Sequence, residues 1–192
     1  MDHYCFLPIE IWQEIISKSL FIDQIRLRLV CKNFCQLEIH DFYDIPSQYL
    51  KLLTNQILFA YPFIKYLNLA YNQKVTTLNH MTKLEKLDVS DKSAINDDGI
   101  KQLNLSELNA SNNPKITTLN HMTKLQKLHA DGDSGINNAG IRQLNLLELY
   151  AYDNQKITTV NHMTKLRKLD VGGKSGIKDA GINQLKDGLV IH

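Results

Sequence analysis

The chain has 192 residues, 43% hydrophobic and 22% charged, enough to bury a core in one large or two small domains. Its formal charge of +2 is far from the basic excess that a phosphate-binding surface needs, which excludes nucleic acid as a main partner. No segment approaches ~18 unbroken apolar residues, and "MDHYCFLPIE" lacks a signal-peptide pattern. No membrane partner is therefore expected, and the chain reads as intracellular, in cytoplasm or nucleus.

The first 45 residues do not repeat. "LPIEIWQEII" sets Pro8 in the first turn of a helix and Ile11, Trp12, Ile15 and Ile16 on one face. A second stretch, opened by Asp23, carries Ile25, Leu29, Val30, Phe34 and Leu37 at helical spacing, so two or three short helices are expected. Cys5, Cys31 and Cys35 are an odd count with no disulfide framework and read as reduced, buried thiols. Cys31 and Cys35 lie four apart, but no second ligand pair accompanies them to complete a metal site.

In order, "LPIEIWQEIISKSLFIDQIRLRLVCKNFCQL" resembles the F-box family: Leu7-Pro8, the "EIW" helix, the run D-x-x-x-L-R-L-V-C-K and Phe34. The resemblance implies an all-α domain that docks a Skp-type adaptor of a cullin-RING ubiquitin ligase. Carried over by motif position, Leu7, Pro8, Ile11, Ile15, Leu20 and Val30 contact or shape the adaptor surface. On physics alone the same helices could serve only as an N-terminal cap over an apolar edge. Residues 1–45 are thus taken as one domain and 46–63 as a linking, capping segment. "PSQYLKLLTNQILFAYP" reads as one helix between Pro46 and Pro62, with Leu50, Leu53, Ile57 and Leu58 inward.

From residue 64 the chain repeats. L-x-x-L-x-L frames start at 64 ("IKYLNL"), 84 ("LEKLDV"), 105 ("LSELNA"), 125 ("LQKLHA"), 146 ("LLELYA") and 166 ("LRKLDV"), giving six units of 20–21 residues. Each start is followed eleven residues later by Val75, Ile95, Ile116, Ile136, Ile157 or Ile177, and in odd units eight residues later by Asn72, Asn113 or Asn154. At these residues the chain resembles the leucine-rich-repeat family. The period-2 leucines argue a short strand per unit, stacked into one parallel sheet. The expected fold is therefore α/β: a leucine-rich-repeat solenoid over 64–192, its sheet on the concave face, behind an all-α F-box-like domain. One unit orders about 20 residues at roughly 1–2 kcal/mol each, which a handful of buried side chains cannot offset, so stacking is obligatory.

The nonapeptide "TTLNHMTKL" at 76–84 and 117–125, with "TTVNHMTKL" at 158–166, belongs to the odd units. Its third-residue apolar period points Met81, Met122 and Met163 into the core and leaves His80, His121 and His162 outside on the convex side. Strands are about 4.8 Å apart, so these histidines fall about 10 Å from one another, too far for one zinc. No cofactor or metal is expected. Even units carry "AINDDGIKQL", "GINNAGIRQL" and "GIKDAGINQL", read as short helical turns with Ile100, Ile141 and Ile182 inward. There Ser93, Ser134 and Ser175 are expected to bond the backbone where asparagine does so in odd units.

Between the strand leucines, Tyr66, Lys86, Glu107, Lys127, Glu148 and Lys168 form one column of alternating charge. The next columns vary while the scaffold does not: Asn68, Asp88, Asn109, His129, Tyr150, Asp170, and beside them Ala70, Ser90, Ser111, Asp131, Tyr152, Gly172. The candidate partner-binding residues are Tyr66, Asn68, Tyr71, Asp88, Asn109, His129, Asp131, Tyr150, Tyr152 and Asp170. Their tyrosines are natural anchors, and their acidic cast favours a target protein with a basic or mixed patch. The end, "INQLKDGLVIH", either forms a last strand or leaves an edge for weak self-association.

F-box plus leucine-rich repeats implies a substrate-recruiting ubiquitin-ligase subunit. The alternative is an interaction scaffold whose N-terminal helices only cap the solenoid. Nothing assembles nucleophile, base and orienter, so no enzyme is expected. The recurring "LNHMTKL" is also similar to the expanded F-box and leucine-rich-repeat families of large DNA viruses of amoebae, which would place the protein in an infected host cell.

Overall fold

The repeated L-x-L segments, too short to stand alone, line up as strands of one parallel sheet. The computed structural model describes residues 41–43, 47–183, 185 and 189–191. The six adaptor-binding residues Leu7, Pro8, Ile11, Ile15, Leu20 and Val30, and the three cysteines, lie outside them. The strands are β1 (Asp41–Phe42), β2 (Tyr66–Asn68), β3 (Lys86–Asp88), β4 (Glu107–Asn109), β5 (Lys127–His129), β6 (Glu148–Tyr150), β7 (Lys168–Asp170) and β8 (Val190–Ile191). They follow one another in chain order across the sheet, each parallel to its neighbours. Among the described residues the sheet therefore has eight strands where the repeat frame yields six. Asp41–Phe42, just before the segment expected to link and cap, pairs with β2, and Val190–Ile191 pairs with β7.

Register aligns Leu67, Leu87, Leu108, Leu128, Leu149 and Leu169 in one row, continued by Phe42 at one end and Ile191 at the other. The six leucines are buried. Behind them run Leu69, Val89, Ala110, Ala130 and Ala151, then the row from Val75 to Ile177, then Met81, Met122 and Met163, all buried. Each such leucine or isoleucine contributes about 1.5–3 kcal/mol, and each is covered only because a neighbouring unit lies on it.

Where the chain leaves the strand, the asparagine of odd units is a backbone clamp. Buried Asn113 donates from Nδ2 to the Val89 and Ile95 carbonyls at 2.8 and 3.2 Å and accepts at Oδ1 from the Lys115 N–H at 3.1 Å. Asn154 repeats this on the Ala130 and Ile136 carbonyls at 2.7 and 3.4 Å. In even units Ser93, Ser134 and Ser175 are buried and accept from the N–H of Ile95, Ile136 and Ile177 at 3.5, 3.4 and 3.3 Å, in keeping with the sequence expectation.

The segment before the repeats is two helices rather than one: α1 (Ser47–Leu50) and α2 (Asn55–Phe59). The break arises because the Leu50 and Leu53 carbonyls accept from Asn72 Nδ2 at 2.6 and 3.1 Å, and Thr54 starts a new helix by accepting from Ile57 N at 3.3 Å. Leu50, Leu53 and Leu58 are buried as expected, whereas Ile57 faces solvent. Among the described residues no helix is long and apolar enough to cross a membrane.

The even units return through one-turn helices: α3 (Asp97–Ile100), α4 (Asn138–Ile141) and α5 (Asp179–Ile182). Asn96 and Asn137 cap the first two through Gly99 N and Gly140 N at 3.0 and 3.1 Å. Ile100 and Ile141 are fully buried, Ile182 partly so. A methyl at Gly140 would overlap the Thr117 carbonyl oxygen, so the helix needs glycine to sit this close to the neighbouring unit.

The repeated spelling of the nonapeptide reflects more than methionine packing. Asn55, Asp97 and Asn138 accept at Oδ1 from the Thr76, Thr117 and Thr158 N–H at 3.0, 2.8 and 2.8 Å. Asn79 donates to the Asp98 carbonyl at 2.8 Å and accepts from Gln102 N at 3.0 Å, and Asn120 does the same with Ala139 and Gln143. The Nε2 atoms of His121 and His162 lie 3.2 and 3.1 Å from the carbonyls of Ile100 and Ile141, one unit back. Threonine and asparagine, with the histidines at 121 and 162, thus tie neighbouring units together; His80 differs, its Nε2 buried without a partner among the described residues and its ring 5.3 Å from that of Phe59.

Candidate interaction surface

Every strand directs its first and third residues away from the leucine row, so the register fixes two rows of side chains. In the first row Tyr66, Lys86, Glu107, Lys127, Glu148 and Lys168 stand side by side, as their alternation implied. Direct ion pairing along this row is found in its middle: Glu107 lies 3.3 Å from Lys86 and 3.4 Å from Lys127. Glu148 instead accepts from the Tyr150 hydroxyl at 3.0 Å. The Lys86 ammonium also sits 4.0 Å over the Tyr43 ring. Burial pulls this lysine down, Tyr43 and Glu107 pull it up, and the balance is a raised pKa.

The second row, Asn68, Asp88, Asn109, His129, Tyr150 and Asp170, divides into two halves of different chemistry. In the first half the polar side chains satisfy one another and the turns beyond them. Asn68, Asp88 and Asn109 each accept at Oδ1 from the backbone N–H two residues on, at 2.9, 2.9 and 3.1 Å. Asp88 also takes the Ser90 hydroxyl at 2.6 Å and Asn109 Nδ2 at 3.0 Å. Asp131 accepts from the Ser111 hydroxyl at 2.9 Å and from Tyr152 N at 2.8 Å. Much of the acidic cast of this face is therefore committed inside the protein, where it fixes turns.

In the second half the surface is aromatic and cationic. His129 and Tyr150 stack with ring centroids 4.1 Å apart and planes 5° apart. Lys168 and Lys127 lie 5.0 and 5.7 Å from the Tyr150 ring centre. Burial, reinforced by Lys127, lowers the His129 pKa against the pull of Asp131, whose carboxylate is 3.9 Å away. Just beyond the strand end Tyr152 is 49% exposed and lies over Gly172 and Gly173, where a Cβ would crowd its ring. Tyr150 and Tyr152 are thus held in place before any partner arrives.

Tyr71 stands apart, past the end of β2, 61% exposed and with its hydroxyl pKa raised by the Asp91 carboxylate. Sequence reasoning places it among the contact residues but does not reveal its backbone, which is left-handed at φ 59°. Lys127, Lys168 and Tyr43, all part of this surface, are contact candidates that the sequence reading misses. The signal for the two lysines is present in the alternating column. Among the described residues no three His, Cys, Asp or Glu side chains come together as metal ligands would.

The surface is one of apposed side chains, and comparison with known families bears on the N-terminal segment. The F-box domain family matches residues 5–39. F-box domains bind Skp-type adaptors of ubiquitin ligases, and proteins that carry them are typically adaptors without catalysis of their own. No curated protein matches the chain.

Proposed function

We propose that this protein is the substrate-recruiting F-box subunit of a cullin-RING ubiquitin ligase. In this reading Leu7, Pro8, Ile11, Ile15, Leu20 and Val30 contact or shape the Skp-type adaptor surface, within a domain over 1–45. Residues 46–63 link and cap, and residues 64–192 are leucine-rich repeats that hold the target. The observation that carries it is the pairing of an F-box match at 5–39 with a repeat sheet whose scaffold rows recur while one outward row changes from strand to strand. The target contacts centre on His129, Tyr150 and Tyr152, where pre-positioned rings lower the entropy cost of binding. Tyr66, Asn68, Tyr71, Asp88, Asn109, Asp131 and Asp170 complete the face toward a target with a basic or mixed patch. Bond formation to ubiquitin belongs to other subunits.

Supporting the repeat family are six left-handed turn positions at one place per unit, the clamp asparagines and the single row of leucines. Near-identical nonapeptides speak for recent duplication and for kinship with the expanded families of amoeba-infecting DNA viruses, with action inside a host cell. Val190 and Ile191 of β8, 51% and 46% exposed, favour weak self-association through this strand. Sedimentation at high concentration tests this, and a strict monomer speaks against it.

The deciding experiment is co-purification from cells. A Skp-type adaptor is expected with the intact chain and lost with the double variant Leu7→Ala, Pro8→Ala, while target capture through the repeats survives. If the adaptor is absent from the parent yet other proteins are captured, the chain is a plain interaction scaffold with a helical cap.

A further inference from the structure

The carboxyl ends of β2 and β3 and the end of α1 enclose a cleft of about 690 Å³ lined in part by Lys51, Lys74 and Lys92, with Asp91 and Tyr71 at its wall. The carboxylate is already engaged: Asn112 Nδ2 donates to it at 3.1 Å and the Ser90 hydroxyl lies at 3.3 Å. The ammonium groups are not. Among the described residues none of the three lysines forms a side-chain hydrogen bond or ion pair, which leaves three unpaired cations around one opening.

The repeat provides its own control. Lys115 and Lys156 occupy the place of Lys74 in later odd units, and their ammonium groups donate to the Ser93 and Ser134 carbonyls at 3.2 and 2.6 Å. Lys74 has no such bond and lines the cleft instead. A second departure sits beside it. At the eighth residue of each unit the backbone is left-handed, and the occupants are Tyr71, Asp91, Asn112, Gly132, Asp153 and Gly173; Lys92, also in the cleft, is left-handed as well at φ 67°. Glycine, asparagine and aspartate tolerate that conformation, and tyrosine does so poorly. A strained, exposed ring at the mouth of a cationic cleft is the kind of outlier that marks a ligand site.

We propose that this cleft binds an acidic peptide segment of a partner protein, its carboxylates taken by Lys51, Lys74 and Lys92 and its backbone packed along Tyr71. The cleft opens past the ends of β2 and β3, whereas the His129–Tyr150 stack lies on β5 and β6, so the two surfaces take different stretches of partner. A peptide fits better than nucleic acid, since the cleft gathers three lysines on a chain of net charge +2, without the large basic excess a phosphate backbone needs. The site does not depend on adaptor docking, and its test leaves the F-box untouched.

The test is fluorescence anisotropy of the full chain with a fluorescein-labelled octapeptide of alternating glutamate and aspartate. Binding is expected to weaken with added salt. The variant Lys51→Gln, Lys74→Gln, Lys92→Gln should weaken it by at least about tenfold, and Lys124→Gln with Lys165→Gln should not. Tyr71→Asn should also weaken binding while leaving the melting temperature undiminished, which separates lost contact from unfolding. The proposal is overturned by no binding to the parent, by equal binding to the triple variant, or by tighter binding of a mixed-sequence single-stranded oligonucleotide than of the peptide.

Discussion

Tyr71 at φ 59° costs the fold roughly 1–2 kcal/mol relative to a residue that accepts the left-handed region. Asparagine occupies the equivalent place at Asn112, so Tyr71→Asn should stabilise by about 1 kcal/mol, read as a rise in thermal midpoint. A fall would mean that the ring's packing outweighs the strain. Among the described residues, His129 is a histidine whose pKa is shifted by its surroundings. Burial, with Lys127, holds its folded pKa below the ordinary histidine value, while Asp131, Glu107 and Asp88 oppose the shift and Tyr150 covers the ring. Between the folded pKa and the unfolded one near ~6.5, the unfolded chain binds a proton that the folded chain refuses. The contribution of His129 is therefore fully present above about pH 6.5 and is lost as pH falls. His129→Gln should lose less melting temperature than the parent on going from about pH 7.5 to about pH 5.5. Equal losses would assign the acid sensitivity to other groups.

At the scale of the single unit, the clamp asparagine decides whether a strand can turn into its return. Asn113 is fully buried and serves two carbonyls and an N–H across two units. Asn113→Ala leaves two buried carbonyls and a half-buried N–H without this partner, so a loss of about 3 kcal/mol is expected in urea unfolding, far above that of Asn112→Ala on the exposed turn. The unit is also the level at which the sequence is most legible. Leucine period and spacing dictate the register of Lys86, Glu107, Lys127, Glu148 and Lys168, because a slip of one residue would expose every core leucine. Contacts set by distance rather than by period leave no such trace. The bonds of Asp88 to Ser90 and Asn109 convert an expected contact residue into a turn-former, and two-residue strands such as Asp41–Phe42 carry no periodic signal at all. Lys74 and Tyr71 are legible in principle, since aligning the units shows tyrosine where the others have glycine, asparagine or aspartate. The break between α1 and α2 is not, because it depends on carbonyls claimed by Asn72.

Among the described residues each strand pairs with the strands before and after it, so the continuous core is built from successive interfaces between neighbouring units. The position of a cavity along the array should then matter as much as its size. Leu128 and Leu169 are both fully buried in the same row, but among the described residues Leu128 has three or more strands on either side, while β8 alone lies beyond Leu169. Leucine to alanine at either site removes similar apolar volume, costing about 2–5 kcal/mol locally. At Leu128 the weakened interface divides the array, so Leu128→Ala should broaden the urea transition or split it, with a reduced slope. At Leu169 only the last strands lose support, and amide exchange should accelerate in β7 and β8 while β2 to β5 keep the protection of the parent. Equal acceleration of exchange across all strands in both variants would show that the units unfold as one body and that nearest-neighbour coupling is not what limits this fold.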